Sequence, residues 1–573
     1  MSILQKAKKY SVQILVILLI ILVQCAFVSQ KEGYHMDELL SFELSNAEYN
    51  PWIVPTQPVG RLAKFMHEEI DGETLGETIG NLKDTVADVL ENKSASKLLS
   101  YKADVYEEPI WISKEQFVEY VTTENGDRFN YLSVYFNVKD DNHPPIHFML
   151  LHTMSSLFPG VVSPMMGCVI NIAALIGCAV ILMRLGMLAD QYHVTSNGTG
   201  KIWGIAAAAM YGCSQAAVAT TLLIRMYGVL TLFCLAFFYI HVRKWLEKEF
   251  DKKNLLLILV TIGGFLTQYF FLFYCLVLAF VTAVLLFVYK RRKELWIYIR
   301  SMMIAALIGV GMFPFSILDV FASSRGVEAL EKLGNGFGEL IARIAAFGEI
   351  LLIRCFGNVW IGLLLLAASV IFGAWLFVTK KSLRVLVACA YVPVFGYFLL
   401  AAKLSPFYVD RYLMAAFPFV IGWLTTLLCF GVYKLPVMRK RVLTVCIVLF
   451  CATQIYSYDG TYLYVGYEEQ LQVAKDNSDK ACICLYEGSG YYDNLLEFAE
   501  YESTLLVTPK ELLGRKDASD VESLQEAVFV VKNIIEEDTL QEVLDKYQFR
   551  VKEVLVQDGA CGDDVYLCVK VQN

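Results

Sequence analysis

The sequence predicts a polytopic α-helical membrane protein with a C-terminal soluble α/β domain. Three observations carry that expectation. The 573-residue chain is 56 % hydrophobic and only 18 % charged, with a mean hydropathy of +0.49, whereas soluble domains carry about 25 % charged residues. Its apolar residues gather into about eleven runs, most of them near the ~20 residues that cross a bilayer core. From residue 459 onward the apolar runs shorten and alternate with helical patterns, the signature of an α/β layer.

The first run, Ser11–Ser29, follows Lys6, Lys8 and Lys9. It is longer than a signal-peptide core and has no convincing cleavage site, so it reads as a retained helix with a cytoplasmic N-terminus. Residues 30–143 form a long polar loop with helix-like stretches at Val59–Ile70, Asn81–Leu90 and Lys114–Thr122. The loop closes on Pro144-Pro145, which suits the first turn of a helix. The apolar Ile146–Phe158 that follows is short for a span and fits an interfacial helix. Ten further spans are expected at 163–184, 203–222, 227–243, 254–270, 272–290, 298–318, 358–379, 384–402, 412–433 and 442–458. The expected regions are thus a first helix (1–29), an extracytoplasmic catalytic loop (30–161), a membrane core (162–458) and an extracytoplasmic α/β domain (459–573). In that domain Ala481–Leu485, Thr504–Val507, Ala527–Val531 and Val565–Val571 read as strands, and Asn494–Tyr501, Glu511–Leu513 and Thr539–Tyr547 as helices.

Charge sets the orientation. Lys and Arg cluster in alternate loops, at Arg184 and Lys201, Arg243 to Lys253, Lys290 to Lys293, Lys380 to Arg384 and Lys434 to Arg441. Placing these in the cytoplasm puts the 30–143 loop, the 319–345 and 403–411 loops and the C-terminal region outside. The net charge of −8 hides the asymmetry: residues 30–143 hold 10 Lys+Arg against 22 Asp+Glu, and residues 459–573 hold 10 against 24. Nothing in this pattern suggests nucleic acid. The pattern fits a bacterial plasma membrane. Of the fifteen cysteines, only Cys482, Cys484, Cys561 and Cys568 fall outside apolar segments. Cys482-Ile-Cys484 reads as a buried strand face, with or without one disulfide, more readily than as a metal site.

Unusual polar residues fall on the predicted outer side. Asp37 and Glu38 follow the first span in Gly33-Tyr34-His35-Met36-Asp37-Glu38. Charges this close to a bilayer are either solvated flanks or functional groups. Asp140 and Asp141 precede a helix start, where they either complement the helix dipole or join Asp37 around an acceptor hydroxyl or a metal. His143 and His147 have a spacing seen in metal ligands, so Asp37, His143 and His147 are candidates for a divalent cation; no cofactor is certain. Arg225, Lys403 and Arg411 lie at span ends, as snorkelling anchors or as a phosphate-binding set. Gln268-Tyr269 is polar within an apolar run and can bond a ligand or another helix.

Five segments together resemble the GT-C glycosyltransferases, in the bacterial branch similar to protein O-mannosyltransferases and lipid A aminoarabinose transferases. They are Asp37-Glu38 after the first helix; Asp140-Asp141-Asn142-His143-Pro144-Pro145-Ile146-His147-Phe148; Arg225-Met226-Tyr227-Gly228; Leu266-Thr267-Gln268-Tyr269-Phe270; and Asp410-Arg411-Tyr412-Leu413. Their order covers about residues 10–435. The family often has an acidic residue where Ile224 stands and His where Gln268 stands. The resemblance implies a polyprenyl-phosphate-linked sugar donor, a glycan, lipid or protein acceptor, and transfer on the outer face of a cell membrane. It implies Asp37 as general base, Glu38 in support, and Arg225 and Arg411 on the departing phosphate, with His143, Tyr227, Gln268, Tyr269 and Lys403 around the substrates. A transporter or lipid flippase, or a non-catalytic envelope assembly protein, is the alternative. The lack of matched inverted halves with broken helices weighs against a transporter.

Overall fold

The computed structural model describes residues 10–49, 53, 61–72, 74–101, 109–195, 198–252, 254–321, 323–334, 337–433 and 438–571. The expectations at Lys6, Lys8, Lys9, Val59, Gly60, Lys253 and Lys434 lie outside the described residues. The chain divides into two compact units. One comprises Met1–Ser29, Asn142–His147 and Gly167–Thr461; the other comprises Gln30–Asp141, Phe148–Met166 and Tyr462–Asn573.

The first unit is helical. Among the described residues, eight helices are long and apolar enough to cross a membrane: Ser11–Val28, Pro164–Gln191, Tyr227–Glu247, Phe271–Val288, Arg292–Met312, Val359–Thr379, Lys381–Leu404 and Asp410–Val432. Thr199–Gly212 and Gln215–Leu222 form a pair bent by 55°, and Leu255–Phe265 and Arg441–Tyr456 are shorter apolar helices. Each expected span thus appears as an apolar helix, but three are short or broken.

The bend has a local cause. Ser214 caps the second helix by accepting the Ala217 N–H at 3.2 Å, while Gln24 donates to the Gly212 carbonyl at 2.9 Å and Gln215 donates to Ser457 at 2.7 Å. Backbone groups released by a break inside an apolar body need such partners. Close approach of Pro164–Gln191 to Thr199–Gly212 requires glycine, since a Cβ on Gly186 would lie 2.1 Å from the Gly200 carbonyl oxygen. The 319–345 region, expected as a loop, carries helices Ser324–Gly334 and Phe337–Phe356 instead. Arg325 and Lys332 both pair with Glu328 at helical spacing, which supports an exposed helix.

The second unit is built on a six-stranded sheet of order β1-β3-β2-β4-β6-β5, with β1 Trp111–Ser113, β2 Ala481–Leu485, β3 Ser503–Val507, β4 Glu526–Lys532, β5 Phe549–Val556 and β6 Asp563–Lys570. The central strands β3, β2 and β4 are parallel and the outer pairings antiparallel. Every residue of β2 is buried, as expected of a parallel strand covered on both faces. Cys482 and Cys484 lie on it as free thiols, and all fifteen cysteines are free.

The polar loop and the C-terminal region, expected as separate domains, share this sheet. Ile112 pairs opposite Thr504 on β3, and the Trp111 indole donates to Asp520 at 2.8 Å. Three residues of strand carry too little periodicity to be read from sequence. The edge strand β5 was also not expected, because most of its residues face solvent and its pattern is polar. Ser113 then caps the Lys114–Val121 helix, whose Phe117 packs on Phe498 with ring centroids 5.5 Å apart.

Phe117 is fully buried. Phe117→Ala is expected to cost about 3–5 kcal/mol, read as a lowered melting temperature and faster proteolysis of the purified full-length protein.

Candidate active site

In the helical unit four of the singled-out segments converge. The Ile146 N–H donates to the Leu266 carbonyl at 3.1 Å, which joins the Pro-Pro segment to the one carrying Gln268. His147 is fully buried beside Ile224 and Arg225. Burial, reinforced by the Arg225 guanidinium, pushes its imidazole down to about 3, so His147 is neutral. The Tyr412 ring packs 6.4 Å from Tyr227 and 5.1 Å from Phe270. That aromatic stack brings the Arg225-Met226-Tyr227, Gln268-Tyr269-Phe270 and Asp410-Arg411-Tyr412 segments together. Gln268 is buried, and the Tyr269 hydroxyl donates to Asp319 at 2.5 Å.

The Arg225 turn is held by Asn171, which sequence reasoning missed. Its amide donates to the Leu223 carbonyl at 2.7 Å, and Gly228 packs against it so tightly that a Cβ would lie 2.5 Å from Asn171 Oδ1. Arg225 itself is only 3 % exposed, too buried for a snorkelling anchor.

The Lys403 and Arg411 corner is also braced by side chains not anticipated. Arg343 donates to the Ala402 carbonyl at 2.5 Å and to the Ser405 carbonyl, and Lys332 donates to the latter at 3.1 Å. Cations on the last carbonyls of a helix offset its dipole. Arg354 pairs with Asp410 at 2.8 Å, with both Asp459 oxygens at 3.0 Å and with Thr461 at 2.9 Å. The Asp410 neighbour of Arg411 is therefore anchored by a residue 56 positions upstream. No local pattern in the sequence joins the two.

Asp37, Glu38, Asp140 and Asp141 belong to the second unit. Asp37 and Glu38 open the Met36–Asn46 helix, in which His35 and Glu38 form a reciprocal capping box. Glu38 accepts the His35 N–H at 2.7 Å and pairs with Lys31 at 3.0 Å, both of the paired side chains having no exposure. Its carboxylate is thus committed to holding the segment. Asp37 differs: 21 % of its side chain is exposed, with His35 Nδ1 3.6 Å from Oδ2. Asp140 and Asp141 end a short 3-10 turn, Val138–Asp140, with the Asp141 N–H on the Val138 carbonyl; the side chain of Asp140 lies outside the described residues. Among the described residues no three His, Cys, Asp or Glu side chains gather as metal ligands. His147 stands beside the Arg225 guanidinium in the helical unit.

No family model matches the chain, and no curated protein matches it. Among solved structures it is similar to ArnT from Cupriavidus metallidurans bound to undecaprenyl phosphate, with a TM-score of 0.54 and 10 % identity over 97 % of each chain. The apo state of that protein gives a TM-score of 0.45 at 10 % identity, over 80 % of this chain and 94 % of that one. The bound form shows that this chain has an ArnT-like fold, helical in its membrane part with a C-terminal sheet.

Glu38→Ala would strand the Lys31 ammonium in a buried site, so a loss of roughly 3–5 kcal/mol is expected. Lys31→Met combined with Glu38→Leu should recover much of that loss in the melting temperature.

Proposed function

We propose that the chain is an integral-membrane glycosyltransferase. It moves a sugar from a polyprenyl-phosphate-linked donor to an acceptor hydroxyl on the outer face of a plasma membrane. The observation that carries this reading is the convergence of Arg225, His147, Gln268 and the Arg411 segment within an ArnT-like helical body. The solved relative binds undecaprenyl phosphate, and an apolar helical body with buried cations suits such a ligand. The tail takes apolar surface and the phosphate takes guanidinium groups. The Lys and Arg distribution supports a cytoplasmic N-terminus and an outer C-terminal unit.

In this reading Asp37 accepts the proton of the acceptor hydroxyl. That oxygen bonds to the anomeric carbon of the sugar as the bond from carbon to the phosphate oxygen breaks. The electron pair leaves with polyprenyl phosphate, whose added negative charge Arg225, Arg411 and Lys403 stabilise. Cations fixed in a water-poor site need no rearrangement as that charge develops. His143, Tyr227, Gln268 and Tyr269 line the substrates. Glu38 and Lys31 hold the Asp37 turn without touching the substrate. The same reading assigns Asp140 and Asp141 to the acceptor as further polar contacts.

Asp37→Asn should lower turnover by about 10²–10⁴-fold while polyprenyl phosphate still binds with unchanged affinity. Unchanged turnover would remove Asp37 as the base. Arg225→Ala should lower kcat by about 10²–10³-fold, measured as sugar transfer from a lipid-linked donor by purified protein.

A further inference from the structure

One short helix of the helical unit is built the opposite way round from a helix in water. In Ser316–Phe321, which follows the Arg292–Met312 span, Ser316 and Asp319 are buried while Ile317, Leu318 and Phe321 are each more than half exposed. Apolar residues outward and polar residues inward suit lipid on one side and a polar interior on the other. A carboxylate in such a place needs a partner, because an unpaired charge away from water is costly. Asp319 is 8 % exposed, and it takes no part in the proton transfer or in the phosphate site.

Tyr269 supplies that partner. Its hydroxyl donates to Asp319 Oδ2 at 2.5 Å, the short distance of a charge-assisted bond between a hydroxyl and a carboxylate. Both ends are fixed by their surroundings. Tyr269 stands in the break between Leu255–Phe265 and Phe271–Val288, where its carbonyl accepts the Leu272 N–H at 2.9 Å. The adjacent Phe270 ring packs 5.1 Å from Tyr412. A Cβ on Gly309 would lie 2.9 Å from the Phe265 ring, so glycine lets the Arg292–Met312 helix close on the helix that ends at Phe265. That approach delivers the segment carrying Asp319 to Tyr269. The Asp319 carbonyl in turn accepts the Ser323 hydroxyl, whose oxygen accepts the Gly326 N–H at 3.0 Å.

This bond decides what Tyr269 can offer a ligand. A phenol has one proton to donate and lone pairs that accept. With the proton committed to Asp319, the oxygen can accept a hydrogen bond but cannot donate one. An ionised phosphate carries only acceptors, and the Asp319 charge behind the phenol opposes its approach. A sugar ring carries hydroxyl donors. The Tyr269 oxygen therefore suits a sugar hydroxyl, whereas phosphate suits guanidinium groups.

We propose that Tyr269 accepts a hydrogen bond from a hydroxyl of the donor sugar, and that Asp319 is the positioning residue that keeps the Tyr269 oxygen in that accepting role. The inference rests on the glycosyltransferase reading. It assigns the sugar, and not the lipid phosphate, to the break that carries Tyr269.

Three variants of the full-length protein test this against two probes, polyprenyl phosphate and the polyprenyl-phosphate sugar that supports transfer. Tyr269→Phe is expected to raise the donor KM about tenfold, the effect of one hydrogen bond left unmade, with kcat little changed and affinity for polyprenyl phosphate unaltered. Asp319→Ala should do the same, and adding it to Tyr269→Phe should cost no more, since both remove one contact. Asp319→Asn keeps an acceptor for the phenol proton and should bring KM back to within about threefold of wild type. Donors lacking single sugar hydroxyls give a further arm. One of them should bind wild-type protein about tenfold more weakly than its parent, and Tyr269→Phe should bind the two alike. Weaker polyprenyl-phosphate binding by Tyr269→Phe overturns the proposal. So does a deoxy series whose every penalty persists in Tyr269→Phe, or an Asp319→Asn variant no better than Asp319→Ala. Should Asp319→Ala not fold, the Tyr269→Phe and deoxy-donor arms decide alone. If wild-type protein transfers sugar from no donor, the glycosyltransferase reading fails and this proposal with it; transfer by wild type combined with any overturning result removes the Tyr269 assignment only.

Discussion

A buried ion pair underlies the placement of Asp37. Lys31 and Glu38 are seven residues apart and both sealed from solvent. Two charges out of water are costly unless their remaining hydrogen-bonding capacity is met. It is met here: Lys31 also donates to the Tyr462 carbonyl at 2.8 Å and faces the Tyr464 ring, and Glu38 caps its own helix. The pair closes the turn from Gln30 into the Met36–Asn46 helix. Asp37 is left as the partly exposed carboxylate of that turn. Two adjacent acids of similar intrinsic chemistry thus meet different surroundings: Glu38 is sealed in an ion pair and a helix cap, and Asp37 is partly exposed beside His35.

The helical unit meets a related constraint with cations. Arginines in an apolar body persist only where carbonyls, carboxylates or anionic ligands face them. Arg343 and Arg354 are spent on the backbone and carboxylates around residues 402–411. Asn171 fixes the carbonyl of the Arg225 turn. These second contacts determine where Arg225 and Arg411 lie, and they come from helices remote in sequence.

That difference in range explains what the sequence revealed. The apolar runs were legible because a bilayer core demands long uninterrupted hydropathy. The central strands of the sheet were legible because burial on both faces makes them continuous apolar runs, as in Ala481–Leu485. The motif segments around Asp37, His143, Arg225, Gln268 and Arg411 were legible as short patterns in a fixed order. Strand β1, the helices through 316–356 and the bracing residues Lys31, Asn171, Arg343 and Arg354 were not. Each acts through a contact that no local period encodes. The sharing of one sheet between residues 111–113 and the C-terminal region is the clearest case, since almost 400 residues separate the paired strands. A lone lysine or aspartate in a polar stretch reads as a solvated charge until the fold supplies its partner.

A glycosyltransferase of this kind breaks the bond between a sugar and a polyprenyl phosphate, which a transporter leaves intact. The direct measurement is stoichiometry in vesicles containing only the purified protein, a labelled polyprenyl-phosphate sugar and an acceptor. Free polyprenyl phosphate and glycosylated acceptor are expected to appear one for one. Intact donor crossing the bilayer, with no polyprenyl phosphate released, would contradict it and identify a transporter instead.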